Sequence, residues 1–161
     1  MERGHLEVKR VDPDAPEASE LLEAYFRELR ERLAPAHVEV KGRWPDDFRG
    51  ARAAVVLASE AGRAVGCAGL RPLEEGTLEL KHFFLAPGVR GRGFGRVLLA
   101  GVEEVARSLG ARRIVLDTAA PLLEAAALYR SSGYGDISRF NDNPVAVAWF
   151  AKNLVDDRSR G

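Results

Sequence analysis

What the chain lacks narrows it first. Among 161 residues there is one cysteine, Cys67, which excludes an internal disulfide. Its place in an apolar, strand-like run fits a small buried hydrophobe in a reduced compartment. A surplus of one charge is also missing. Twenty-four basic residues face 24 acidic ones, so no global field draws the chain to nucleic acid or to a membrane surface. Lysine is scarce, confined to Lys9, Lys41, Lys81 and Lys152; the rest of the basic charge is arginine, which codon bias explains most simply. No uninterrupted apolar run nears the ~18 residues of a membrane span. The N-terminus is charged from its second residue and has no apolar signal core. There is no internal repeat and no low-complexity segment. The expectation is a single cytoplasmic domain over 1–161, with its core at about 5–154.

What is present alternates between two periods. His5 to Val11 has strand alternation. Asp12-Pro13-Asp14-Ala15-Pro16 breaks the chain, and Asp14 with Glu17 fits a capping box for the helix that follows. Leu22, Phe26, Leu29 and Leu33 recur on one helical face up to Pro35. Residues 35–50 form a long irregular connection around Trp44 and Phe48. Strands are predicted at Ala51–Ser59, Ala64–Leu70 and Thr77–Leu85, joined by tight turns as an antiparallel meander. Leu98, Val102, Val105 and Leu109 mark a second helix ended by Gly110. Ile114–Leu116 is a short buried strand, and Leu122–Ser132 is a helix closed by Gly133. Two strands, Tyr134–Phe140 and Val145–Lys152, finish the chain.

Between the third strand and the second helix lies Val89-Arg90-Gly91-Arg92-Gly93-Phe94-Gly95-Arg96. Strand, glycine-rich turn, helix is the geometry of an anion site, since free N–H groups and the positive end of the helix dipole point into the turn. The dinucleotide fingerprint G-x-G-x-x-G fails, because its sixth position is Arg96. A Walker A loop needs Gly-Lys-Ser/Thr, which is absent. R-x-x-G-x-G is met by Arg90, Gly93 and Gly95.

With that hexapeptide the chain resembles the GNAT superfamily of acyl-CoA N-acyltransferases. Two further segments support the resemblance. Glu79-Leu80-Lys81-His82-Phe83-Phe84-Leu85 is similar to the family's central strand, and Ala125-Ala126-Ala127-Leu128-Tyr129-Arg130-Ser131-Ser132-Gly133-Tyr134 to its A-x-x-L-Y-x-x-x-G-[FY] segment. The resemblance implies an α/β fold with a mixed, mostly antiparallel sheet flanked by about four helices. It implies acetyl-CoA as acyl donor, no metal, and transfer to a primary amine of a small molecule or amino acid. A protein N-terminus or lysine as acceptor, or a non-catalytic CoA-binding module, are the alternatives.

The resemblance also assigns residues. Phe83, Phe84, Leu85, Arg90, Gly91, Arg92, Gly93, Phe94, Gly95 and Arg96 would hold the donor, with Ala125 and Leu128 packing on its pantetheine arm. The glycines would admit phosphate oxygens to the backbone, and an arginine would add charge-assisted contacts. Tyr129 would be the general acid, its reference pKa near ~10 keeping it protonated at neutral pH. Glu79 would be the general base, with His82 the second candidate. A backbone N–H near Phe84 or Leu85 would hold the oxyanion. Many relatives carry asparagine where this chain has Leu122, which puts donor contact from the start of that helix in doubt. Trp44, Phe140 and Asn143 are candidates to line the acceptor side, and a homodimer through the last strands is left open.

Overall fold

The computed structural model describes residues 4–33, 45–119 and 123–154. Trp44 and Leu122 lie outside the described residues. The strands are β1 (Leu6–Val11), β2 (Ala54–Glu60), β3 (Arg63–Glu74), β4 (Thr77–Leu85), β5 (Arg113–Ala119), β6 (Gly135–Asp136) and β7 (Ala146–Asn153). The helices are α1 (Pro16–Leu33), α2 (Phe94–Ser108) and α3 (Leu123–Ser131), with single 3-10 turns at Asp46–Phe48 and Pro87–Val89. Three α-helices among the described residues stand against the four expected.

One seven-stranded sheet runs in the order β1-β2-β3-β4-β5-β7-β6. The expected meander of β2, β3 and β4 is there, and β1 extends it by pairing antiparallel with β2. β4 and β5 are the single parallel pair, because α2 carries the chain back across the sheet between them. Alternation assigns the two faces. Val56, Ala58, Leu70, Leu78, Leu80, Ile114 and Leu116 join Leu98, Leu99 and Val102 of α2 in the main core. Val55 and Leu57 face the other way, onto Ala18 of α1 and Phe48. Fully burying side chains such as Leu98 and Val102, both at 0% exposure, contributes about 2 kcal/mol each.

Two local expectations are corrected. Asp14 does not cap α1. The helix begins at Pro16, and the carbonyl of Ala15 accepts its first bonds, from Ala18 and Ser19. Proline suits that first position because it has no N–H to leave unsatisfied. Asp14 is turned outward onto Arg49, with Nη1 to Oδ2 at 3.0 Å. The strand expected at Tyr134–Phe140 shrinks to Gly135–Asp136 plus one bond, Ile137 N–H to the Trp149 carbonyl at 2.9 Å. Past it, Arg139 stacks on the Trp149 ring at 4.8 Å and the chain leaves the sheet.

Candidate functional site

The sheet opens between β4 and β5. Their pairing consists of Thr77 with Arg113, Leu78 with Ile114 and Glu79 with Val115, and then stops. β4 continues to Leu85 and β5 to Ala119, so from Leu80 onward the β4 edge facing β5 has no strand partner. A bulge helps to produce this divergence. From Gly69↔Lys81 to Cys67↔Phe84, β3 advances two residues while β4 advances three. The extra residue sits at His82, in the left-handed region at φ 57. Bulges bend a strand and re-aim its side chains.

The re-aiming divides the central strand between two faces. His82 and Phe84 turn toward α1, where their rings lie 5.7 and 5.8 Å from Tyr25. Phe83 turns the other way, 5.8 Å from the Tyr129 ring. Leu85 joins it on that side, packed with Leu128 against the main core. Burial among Tyr25, Phe26 and Phe48 pulls the His82 pKa down to about 3, with Lys81 and Arg71 adding to the drop. Burial pushes the Cys67 thiol up to about 12, which removes it as a nucleophile.

Downstream, the glycine stretch forms the start of α2. Gly93 occupies the cap position at φ 81, no side chain caps the helix, and no acidic residue lies in its first turn. Gly91 has φ 78, and a Cβ on either glycine would meet open space. Glycine is required at both by the left-handed backbone, and its bare face borders free volume. Gly95 is different: a Cβ there would come within 3.1 Å of Leu128. Phe94 is buried and anchors the turn.

The three arginines part company. Arg90 points inward, giving Nε to the Leu85 carbonyl at 2.9 Å and Nη2 to Glu28 at 2.8 Å. It ties the loop to α1. Arg92 forms a two-pronged pair with Glu60 and lies 4.5 Å over the Phe94 ring. Arg96 is exposed and makes no ion pair among the described residues. That leaves it the freest of the three for a bound anion.

Tyr129 is 5% exposed, among the rings of Phe83, Tyr134 and Phe150. Burial, then Tyr25 and Asp117, raise its phenol above the ordinary value. Its hydroxyl bonds to no described residue. Among the described residues the one fully buried side-chain polar atom without a partner is Thr118 Oγ1, so the Tyr129 hydroxyl keeps some contact with solvent. Ala125 and Leu128, on the same helix, pack half-buried beside it.

Glu79 is buried, at 3% exposure. Oε1 accepts from Arg71 Nε at 2.8 Å, while Oε2 lies 3.9 Å from Lys81 and takes no hydrogen bond from a described residue. The cluster continues beyond it. Arg71 reaches Asp47 at 3.3 Å, and Lys81 reaches Asp117 at 3.5 Å. Asp117 accepts from Asn141 Nδ2 at 2.5 Å, and Asn141 accepts from Trp149 Nε1 at 3.0 Å. Arg71, Asp117, Asn141 and Thr118 were missed by sequence reasoning. Only Asp117 carried a signal, as an acidic residue directly after a buried apolar triplet. Asn143, expected to line the site, instead closes a turn, accepting from the Val145 N–H at 3.3 Å. Phe140 is half-buried in that same segment.

Among the described residues no group of His, Cys, Asp or Glu could hold a metal ion, and no helix is long and apolar enough to cross a membrane. The arrangement offers a helix N-terminus for an anion, unpaired β4 backbone near it, and a phenol and a carboxylate on opposite faces of the sheet. Comparison with known proteins finds acetyltransferases both by sequence and by fold. An uncharacterized N-acetyltransferase of Schizosaccharomyces pombe is 33% identical over 92 residues, 56% of each chain. The chain thus spans about half the length of the curated relatives it matches. Among solved structures, a GNAT-family acetyltransferase from Staphylococcus aureus Mu50 superposes with a TM-score of 0.77 at 20% identity, covering 94% of this chain and 100% of that one. A GNAT-family acetyltransferase from Elizabethkingia anophelis with acetyl-CoA bound gives 0.63 at 16% identity, covering 92% and 97%. The profile described as the acetyltransferase (GNAT) family matches residues 16–134, and the chain belongs to that family.

Proposed function

We propose that the protein transfers an acetyl group from acetyl-CoA directly to the primary amine of a small molecule. The observation that carries this reading is the shared location of two features. The uncapped α2 N-terminus follows the end of β4 where the sheet has opened. The unpaired Tyr129 hydroxyl lies beside that opening, against Phe83. A diphosphate suits the first, a departing thiolate the second. The acetyl-CoA-bound relative from Elizabethkingia anophelis supports the choice of donor.

Acetyl-CoA supplies the activated acetyl thioester; the chain supplies placement and proton traffic. The backbone N–H groups of Gly93, Phe94 and Gly95, with Arg96, hold the phosphates. Glu79 Oε2, directly or through water, takes the proton that makes the acceptor amine nucleophilic. The unpaired β4 edge near Phe84 and Leu85 offers an N–H to the oxygen that gains charge as the C–N bond forms. Tyr129 gives its proton to the sulfur as the C–S bond breaks. Its raised pKa keeps that proton available throughout the neutral range. Between the two base candidates, the depressed pKa and aromatic packing of His82 support Glu79.

For the acceptor, the charges around Glu79 argue. Arg71, a third exposed, and Lys81 stand beside the carboxylate that would meet the amine. Asp47 and Asp117 pair with the same two cations, so the cluster carries no surplus positive charge; it supports a primary amine as acceptor and does not choose between an amino acid and another small amine. The test is release of CoA thiol from acetyl-CoA across an amine panel grouped by charge. Turnover with a small primary amine is expected. Tight CoA binding with no thiol release on any amine would replace this reading with a CoA-binding module.

A further inference from the structure

Thr118 has not been given a part. It lies on β5 three residues past the last β4–β5 pair, at Val115, and is 6% exposed. Its Oγ1 is buried and has no hydrogen-bond partner, alone in this among the side-chain polar atoms of the described residues. A buried hydroxyl left unpaired is costly, and native structures rarely keep one without a reason. By strand alternation Thr118 shares a face with Ile114 and Leu116, the face packed against α2, α3 and Tyr129. The β5–β7 register also slips beside it, between Thr118 and Ala119. Thr118 therefore lies past the end of the β4–β5 ladder, on the sheet face where Phe83 of β4 meets Tyr129.

We propose that Thr118 is a donor-binding residue whose hydroxyl hydrogen-bonds an amide of the pantetheine arm of acyl-CoA. The inference rests on the functional reading above. A donor whose phosphates sit at the α2 N-terminus must pass its arm into the β4–β5 opening for the thioester to reach Tyr129. There the arm brings amide groups past a hydroxyl that has nothing else to bond. Thr118 thus supplies the polar contact on the β5 side, and the unpaired edge of β4 supplies those on the other. The free protein carries the orphaned hydroxyl, and donor binding satisfies it.

Thr118→Val keeps the shape and removes the hydroxyl. The test is calorimetric binding of CoA and of 3′,5′-ADP, the phosphate-bearing end without the arm, alongside thermal unfolding of the free proteins. The variant is expected to bind CoA about five- to tenfold more weakly, the effect of one lost hydrogen bond in a buried site. Its affinity for 3′,5′-ADP should match the parent, its melting temperature should be equal or higher, and Thr118→Ser should restore CoA affinity. Unchanged CoA affinity in Thr118→Val overturns the inference alone, as does an equal loss for 3′,5′-ADP. A parent protein that does not bind CoA overturns the functional reading itself.

Discussion

Lys81 and Asp117 form an ion pair across the opening in the sheet, with Nζ 3.5 Å from Oδ1, two residues past the final backbone pair of Glu79 and Val115. The pair holds the strands where hydrogen bonding has ceased. It is also shielded: side-chain exposure is 19% for Lys81 and 7% for Asp117. Asp117→Ala leaves Lys81 with only Glu79 and deprives Asn141 of its acceptor. We predict a loss of about 3 kcal/mol in urea unfolding, near the lower end for breaking a buried pair because Lys81 retains some water. A double-mutant cycle on Lys81→Met and Asp117→Asn should give a coupling of about 1 kcal/mol. No measurable coupling would show that the two charges do not support each other.

Tyr129→Phe should lower kcat by about 100-fold or more, the usual scale for losing a positioned general acid. CoA affinity should stay within about twofold, because the ring packing is kept and the hydroxyl bonds to no described residue. Because the folded-state pKa is raised above the ordinary ~10, no alkaline loss of kcat below about pH 10 should come from this phenol. Steady-state kinetics on both proteins decide this. Equal kcat values would take Tyr129 out of the reaction.

The arginines of the loop should separate by experiment as they do in space. Arg96→Ala is predicted to weaken CoA binding about fivefold at low salt and to flatten its salt dependence, as expected for one exposed phosphate contact. Arg90→Ala should act mainly on stability, since Arg90 joins the Leu85 carbonyl to Glu28 of α1. Titrations at two ionic strengths with parallel melts distinguish them. An Arg96→Ala protein with parental affinity would remove that side chain from the cradle.

His82 predicts an acid-sensitive fold. Its folded-state pKa of about 3 lies below the ~6.5 of an unfolded histidine, so the unfolded chain binds more protons between those values. Its contribution is whole above about pH 6.5 and is lost as pH falls toward 3, at up to ~1.4 kcal/mol per pH unit. His82→Asn suits the positive φ and removes the titration. Its urea midpoint should depend less on pH in that window. An unaltered pH slope would mean that other groups carry the acid sensitivity.

Much of the fold was legible because its signals are local. Leu98 and Val102, at helical spacing, are both 0% exposed, and alternation in Thr77–Leu85 sends Leu78 and Leu80 into the main core. The failures are where local pattern competes with tertiary contact. Asp14 has the residue type and spacing of a cap, but Arg49, 35 positions away, takes its carboxylate. The 134–140 stretch reads as a strand, yet β7 pairs only with its first residues. In the candidate site, the left-handed turn at Gly91 and Gly93 was legible because glycine accepts that backbone most readily, whereas Tyr129 was assigned by its likeness to a family segment. Thr118 and Asn141 carry no such mark; their importance depends on what lies across the sheet.

Sequence alone determined the order of elements, the glycine turn and the residue types available for acyl transfer, because these follow from period, φ preference and side-chain chemistry. Tertiary structure decided which of those residues are free to act. The bulge at His82 turned one base candidate into aromatic packing, while ordinary alternation from Glu79 and Val115 set Lys81 facing Asp117. Glu28 and Glu60 engage Arg90 and Arg92, while Arg96 makes no ion pair among the described residues. The β4–β5 ladder ends three residues before Thr118, whose hydroxyl, like that of Tyr129, bonds to no described residue. Whether a polar group is satisfied depends on the atoms within about 3 Å of it, and those atoms come from segments far apart in the chain.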